Sequence, residues 1–382
     1  MPINSERLAD IFIKLCEIDS PSFHEARIAA FLKDTFSHLG GAVIEDSSAT
    51  VTGSDCGNLI VRFEGKDHDR DPVLFSCHMD TVKPGTGVKV KREGNRFSSV
   101  GDTILGGDDK SGIAVLIEAI TVIQEDSLPV GTLEFVFTTC EETGLLGAKA
   151  LAAKQLSAKI GYALDMDTTD QVITHAPAAN RIAVEITGVA AHAGMNPEQG
   201  VNAIQLAAQA LSTLRLGRLD EESTANFGKI KGGVATNIIP AHVILDGEVR
   251  SHSEEKLIRY TKEMIGAFSN VVDDWADPDG KATGKPGLNL KVEQEYPVLK
   301  LTPDNPVIKR VQQAASTLGR TMEPVMTGGG SDANIFNGYG IATAIIGTGM
   351  KKVHTVDEYI DLEDMIRTTE LVVSIITSPL ED

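Results

Sequence analysis

Cysteine is scarce and scattered. Cys16, Cys56, Cys77 and Cys140 are the only four in 382 residues, and no two form a C-x-x-C pair. That speaks against a disulfide frame or a thiolate metal site and fits reduced thiols in a cytoplasm. Positive charge is in deficit, with 35 Lys and Arg against 54 Asp and Glu and a formal net charge of -19. Such a surface repels phosphate backbones, so no nucleic-acid partner is expected. No apolar run approaches the ~18 residues that span a bilayer, so no membrane partner is expected either. The start, MPINSERLADIFIKLCEI, lacks a basic stretch ahead of an apolar core, and no signal peptide is expected. The Walker spacing is missing from GGDDKSG, which argues against a phosphate loop. Internal repeats and low-complexity segments are absent.

What is present describes an ordinary globular chain, 42% hydrophobic and 23% charged, long enough for two domains. Ser22 and Glu25 read as a capping box, S-F-H-E, ahead of the apolar-periodic ARIAAFLKDTFSHL, with Gly40 and Gly41 closing that helix. Strand-like runs follow in AVIEDS, NLIVRFEG and DPVLFSCHMD. SGIAVLIEAITVIQE has helical periodicity, LEFVFTTC reads as a buried strand, LGAKALAAKQL as a helix and KIGYALDMD as a strand. Strands alternating with helices predict a mostly parallel, doubly wound α/β sheet covered on both faces.

The pattern changes after Thr174 to strand, helix, two strands around Pro240, helix and strand. That order predicts an inserted α+β sandwich with helices on one face. The α/β pattern returns near Asn305. The expected organisation is a discontinuous domain, 1–177 and 295–382, interrupted by an insert over 178–294. The stretch 273–287 is expected to be an exposed loop.

Candidate ligands share a position: each follows an apolar run. His78 and Asp80 follow VLFSC, Asp108 follows a double glycine, Glu141 and Glu142 follow LEFVFTTC, Asp165 follows IGYAL, and His354 lies past IATAIIGTGMKK. In a parallel sheet, ligands bind beyond the carboxyl ends of strands. Carboxylates packed that closely need a cation, and the mixture of imidazole and carboxylate favours zinc, cobalt or manganese over a calcium-type site. Two such ions sharing a carboxylate would sit ~3.5–4 Å apart. Adjacent residues in an extended chain point opposite ways. One of the two glutamates can therefore bind metal while the other faces the water to be activated; we assign Glu142 to the metal and Glu141 to the base. In H-M-D, alternation would let Asp80 reach the His78 imidazole and raise its basicity.

Together, SCHMDTV, LGGDDKSG, CEETGLLGA, ALDMD, GVAAHAG and VHTVDE resemble the co-catalytic zinc exopeptidase family, and LGGDDKSG with CEETGLLGAK is most similar to its peptidase T branch of tripeptide aminopeptidases. Gly107 stands where the family usually has alanine. The resemblance implies two divalent metals, most often zinc. His78 and Asp165 would hold one, Glu142 and His354 the other, and Asp108, rather than Asp109, would bridge them. Asp167 offers an alternative to Asp165. Glu141 would be the base and Asp80 the partner of His78. The insert would be a lid that often also forms a homodimer. His192 would approach the scissile carbonyl oxygen from the protein's own lid or from a partner's. Asn237 and Arg250 match substrate-contacting positions, Arg250 by gripping a carboxylate. Gly328, Gly329 and Gly330 would let backbone approach the substrate. The implied reaction is cytoplasmic hydrolysis of short peptides. An N-acyl-amino-acid amidohydrolase or a carboxypeptidase of the same family, or a zinc-binding protein without catalysis, are the alternatives.

Overall fold

The structure, a computed structural model, describes residues 3–67 and 70–378. The chain divides into two compact units, Met1–His175 with Lys300–Asp382, and Ala176–Leu299.

The larger unit is built on a mixed sheet with a parallel centre. Strands Leu133–Thr138, Val73–His78, Ile160–Ala163 and Ala342–Ile346 lie side by side, each parallel to its neighbour. Antiparallel strands Leu59–Phe63 and Ala42–Glu45 extend one edge. The strand Gln171–Ala176 runs antiparallel to Ala342–Ile346 at the other. Three of the central strands, Leu133–Thr138, Val73–His78 and Ile160–Ala163, are buried along their whole length, so their sequences are continuous apolar runs rather than alternations. Alternate residues serve opposite faces. Leu74, Val136 and Ile60 pack with Leu151, Leu156 and Phe336. Phe75 and Phe63 pack edge-on or tilted against Phe135, and Phe36 of the helix Ala26–His38 meets Phe63 and Phe135 edge-on and stacks on Phe137. The expected α/β sheet with both faces covered is therefore observed.

The smaller unit is a five-stranded antiparallel sheet with two helices, Ala203–Thr213 and Glu254–Asp273. Inward residues Ile182, Val184, Ile186, Val243, Leu245 and Val249 share one core with Leu206, Ala210, Leu257, Met264 and Phe268 of the helices, which places both helices on one face. Both begin on a side-chain cap, Asn202 accepting from the Gln205 N–H and Ser253 from that of Lys256.

Local expectations differ from the structure in two places. LGAKALAAKQL is not one helix: Leu146–Ala150 ends after five residues and a 3-10 turn covers Ala153–Gln155. There Leu151 and Leu156 turn into the sheet core, and tertiary burial overrides alanine's helix propensity. The capping box at Ser22 and Glu25 also does not form. The helix starts at Ala26, and Glu25 at its N-cap makes no side-chain cap bond.

Candidate metal centre

The parallel strands bring their carboxyl ends to one edge of the sheet, and the candidate ligands stand there. His78 is the last residue of its strand. Glu141 and Glu142 follow Leu133–Thr138, and Asp165 follows Ile160–Ala163. Asp108 opens the helix Gly107–Glu125 with non-helical backbone, after Gly106 in the left-handed region at φ +77°, which glycine tolerates. His354 follows Ala342–Ile346.

These side chains meet. One Asp108 oxygen, Oδ1, lies 2.9 Å from His78 Nε2, and the other, Oδ2, 3.2 Å from His354 Nε2. His354 Nε2 is also 3.0 Å from Glu142 Oε1. Three overlapping groups have ligand atoms within 4.8 Å of one another: His78, Asp108 and Asp165; His78, Glu141 and Glu142; Asp108, Glu142 and His354. Asp108 is the acid between the imidazoles. Asp109 instead accepts the backbone N–H of His78 at 3.3 Å. Asp165 is in these groups, whereas Asp167 is exposed.

The electrostatics are those of an acidic pocket. Burial raises Glu141 well above the usual carboxylate range, with neighbouring Asp165 and Asp332 adding to it. Burial and then Asp108 push Asp165 up to about 7. Burial would raise Asp108 too, but its contacts to His354 and His78 hold it below its ordinary value. Burial opposes charge on His78, yet Asp108 and Asp80 hold its pKa well above normal. Asp108 and then Glu142 raise His354 to about 10. Asp109 Oδ1 and Asp332 Oδ1 are buried without a hydrogen-bond partner, and buried Glu142 Oε1 meets His354 Nε2. Crowded carboxylates, orphaned oxygens and two imidazoles form a donor set that fits divalent cations.

Asp80 stands beside the His78 ring and has a second contact that was not expected. Its backbone carbonyl accepts from His78 Nδ1 at 2.9 Å, and its carboxylate Oδ1 stands 3.6 Å from the same nitrogen. The carboxylate also accepts the N–H groups of Glu141 at 2.9 Å and Glu142 at 3.2 Å.

Two residues escaped the sequence reading. Glu358 accepts the backbone N–H groups of Leu105, Gly106 and Asp108 at 2.8, 2.8 and 3.1 Å, holding the glycine turn that presents Asp108. Its signal was an acid four residues after His354. Asp332 opens the helix Asp332–Gly338, is 4% exposed and accepts from Thr138 Oγ1. Burial raises it to about 6. An acid two residues past a glycine run, at a strand-to-helix junction, was the available clue. Gly328 and Gly329 lie between the strand Glu323–Met326 and this helix, and a Cβ at either would meet no protein atom within 4 Å. Gly330 completes the same connection.

In the smaller unit, His192 is exposed and pairs through a β-bridge with Ile238, and the Ala193 N–H bonds to the Asn237 carbonyl at 2.9 Å. The unit thus brings His192 and Asn237 together. Arg250 lies on the strand His242–Ser251 and forks onto Glu248 at 3.1 Å through both Nε and Nη2.

A parallel-centred α/β unit whose strand ends gather imidazoles and carboxylates in this way defines a metallohydrolase. Residues 74–378 match peptidase family M20/M25/M40, and the chain belongs to that family. An aminopeptidase PepT from Bacillus cereus is 40% identical and superposes with a TM-score of 0.88, with 98% of each chain covered. A tripeptidase from Staphylococcus aureus is 37% identical with a TM-score of 0.90 over the same shares. The protein YqjE of Bacillus subtilis is 41% identical over 375 residues, 98% of each sequence. The motif-based family expectation is met, and with it that of a hydrolase of the metallopeptidase kind. Among the described residues, no helix is long and apolar enough to cross a membrane.

Proposed function

We propose that the protein is an aminopeptidase that hydrolyses short peptides, tripeptides foremost, with two divalent metal ions, zinc before cobalt or manganese. The observation that carries this is the placing of two imidazoles, Asp108 and the Glu141–Glu142 pair at one sheet edge. The similarity to PepT and to a tripeptidase supports the choice of substrate. His78 and Asp165 would hold one ion, Glu142 and His354 the other, and Asp108 both. Bound there, the ions supply an acidified water and polarise the substrate carbonyl.

The chain's own residues do the rest. Glu141 takes the proton of the attacking water as its oxygen bonds to the carbonyl carbon, then delivers it to the amine as the C–N bond breaks. Burial shifts the Glu141 carboxyl upward, the direction a proton-shuttling base requires. Asp80 fixes the backbone of both glutamates. His192 would donate to the developing oxyanion, with Asn237 beside it. Arg250 would grip the peptide carboxylate with two parallel bonds, and the 328–330 glycines would border the substrate. The insert would act as a lid and pair copies into a homodimer. The acidic surface and scattered thiols fit a cytoplasmic enzyme.

The test is a panel of free, N-blocked and C-blocked tripeptides, with and without chelator. Cleavage of free tripeptides, weakened by C-blocking because it removes the carboxylate offered to Arg250, lost on N-blocking and abolished by chelator, is the expected outcome. Release of acyl groups from N-acetyl amino acids with no cleavage of free tripeptides would refute it.

A further inference from the structure

The segment S-F-H-E, residues 22–25, has the spacing of a helix cap and does not cap. Ser22 Oγ donates to Asp80 Oδ2 at 2.7 Å. Glu25 is fully buried and its carboxylate turns from its own helix toward the residue before Glu141. Oε1 accepts the Cys140 N–H at 2.9 Å, the Phe23 N–H at 3.1 Å and the Cys140 thiol at 3.3 Å. Oε2 accepts from Ser54 Oγ. Three donors meet Oε1 and one meets Oε2, so the carboxylate is committed to protein donors.

The Cys140 backbone explains what this carboxylate does. Cys140 has φ +52°, a left-handed conformation uncommon for a residue with a side chain. A left-handed residue in a turn aims successive N–H groups to one side, which creates a concavity for anions. Here two buried carboxylates from distant segments fill it. Glu25 takes the N–H of Cys140, and Asp80 takes those of Glu141 and Glu142. Ser22 ties the two together by bonding Asp80.

We propose that Glu25 is a positioning residue for peptide hydrolysis. With Asp80 and Ser22 it forms a bracket on the backbone of residues 140–142 that keeps Glu141 on the water and Glu142 on the metal. The inference rests on the functional assignment above for those two glutamates, and on the geometry alone for the bracket.

The experiment compares the zinc-loaded full chain with E25A, E25Q and E25D. In E25A, kcat should fall roughly 10- to 100-fold with KM within about threefold, and zinc affinity should fall by a similar factor, as when a group behind a ligand is lost. Amide hydrogen exchange at 140–142 should accelerate while that of the helix Gly107–Glu125 does not. Gln keeps the reach and one acceptor oxygen, so E25Q should recover to within about fivefold of wild type. Asp keeps the charge but is one methylene short, so E25D should stay closer to E25A.

A folded E25A with kcat, zinc affinity and exchange all within about twofold of wild type overturns the bracket. Should E25A not fold, the order of E25Q and E25D decides: Gln nearer wild type upholds it, Asp nearer wild type overturns it. If the wild-type protein cleaves no peptide, the functional assignment fails, while the exchange arm still tests the bracket.

Discussion

Zinc binding to the metal-free protein at pH 7 should release at least two protons per chain. Both nitrogens of His78 face acceptors, Nε2 toward Asp108 at 2.9 Å and Nδ1 toward the Asp80 carbonyl at 2.9 Å. Each contact needs a proton, so the ring is an imidazolium without metal. His354 Nε2 faces carboxylate oxygens of Asp108 and Glu142, which raise its pKa to about 10. Asp165, near 7, is about half protonated. A ligand imidazole must be neutral and a ligand carboxylate ionised. The two rings therefore release about two protons and Asp165 about half of one, and any proton that burial keeps on Glu141 adds to these, since the base must be ionised.

Neutralising His354 below its raised pKa costs free energy, less than the full shift implies because the ring is half exposed and solvent screens its carboxylate partners. That proton competes with zinc. A group whose pKa is raised in the metal-free state favours that state below the raised value. Affinity at this site should thus rise about tenfold per pH unit from 7 toward 10 and fall on acidification. Calorimetry in buffers of different ionisation enthalpy reads the release as the slope of apparent heat. Fewer than one proton released, or an affinity flat between pH 6.5 and 8, would refute the charge assignment.

Other outcomes follow from single residues. Glu141→Gln should retain two metals by elemental analysis while turnover falls at least ~10²–10⁴-fold, the usual worth of a general base; near-normal turnover would remove Glu141 from that role. His354→Ala should lower zinc stoichiometry at saturation from two to one and leave the far-ultraviolet spectrum unchanged; two tightly bound ions would show that His354 is no ligand. Gly147→Ala should destabilise the protein by about 1–3 kcal/mol in a denaturant melt, the range for overpacking. Its Cβ would stand 2.2 Å from the Thr139 carbonyl oxygen and 2.6 Å from Asn58 Oδ1, and an unchanged midpoint would contradict that packing.

Much of the architecture was legible in the residues because its signals are local. Buried strands announce themselves as apolar runs such as VLFSC and LEFVFT. The change in element order after Thr174 falls at the border of the smaller unit, and the candidate ligands stood out because they follow strand ends. What could not be read was how side chains are shared between segments. Ser22 and Glu25 carry the spacing of a cap, yet the nearby Asp80 carboxylate and the Cys140 N–H compete for them and win. Asp80 was expected beside the His78 ring, whereas its hold on the backbone N–H groups of the two glutamates could not be read. Glu358 and Asp332 became site residues only through contacts 250 and 194 positions away in the chain.

Periodicity and motif spacing thus determined which elements form and which side chains stand at their ends, since both depend on neighbours a few residues apart. Tertiary structure alone decided which donor meets which acceptor. A buried carboxylate takes whatever N–H or hydroxyl the packed chain places within 3 Å, and one-dimensional spacing does not encode that choice.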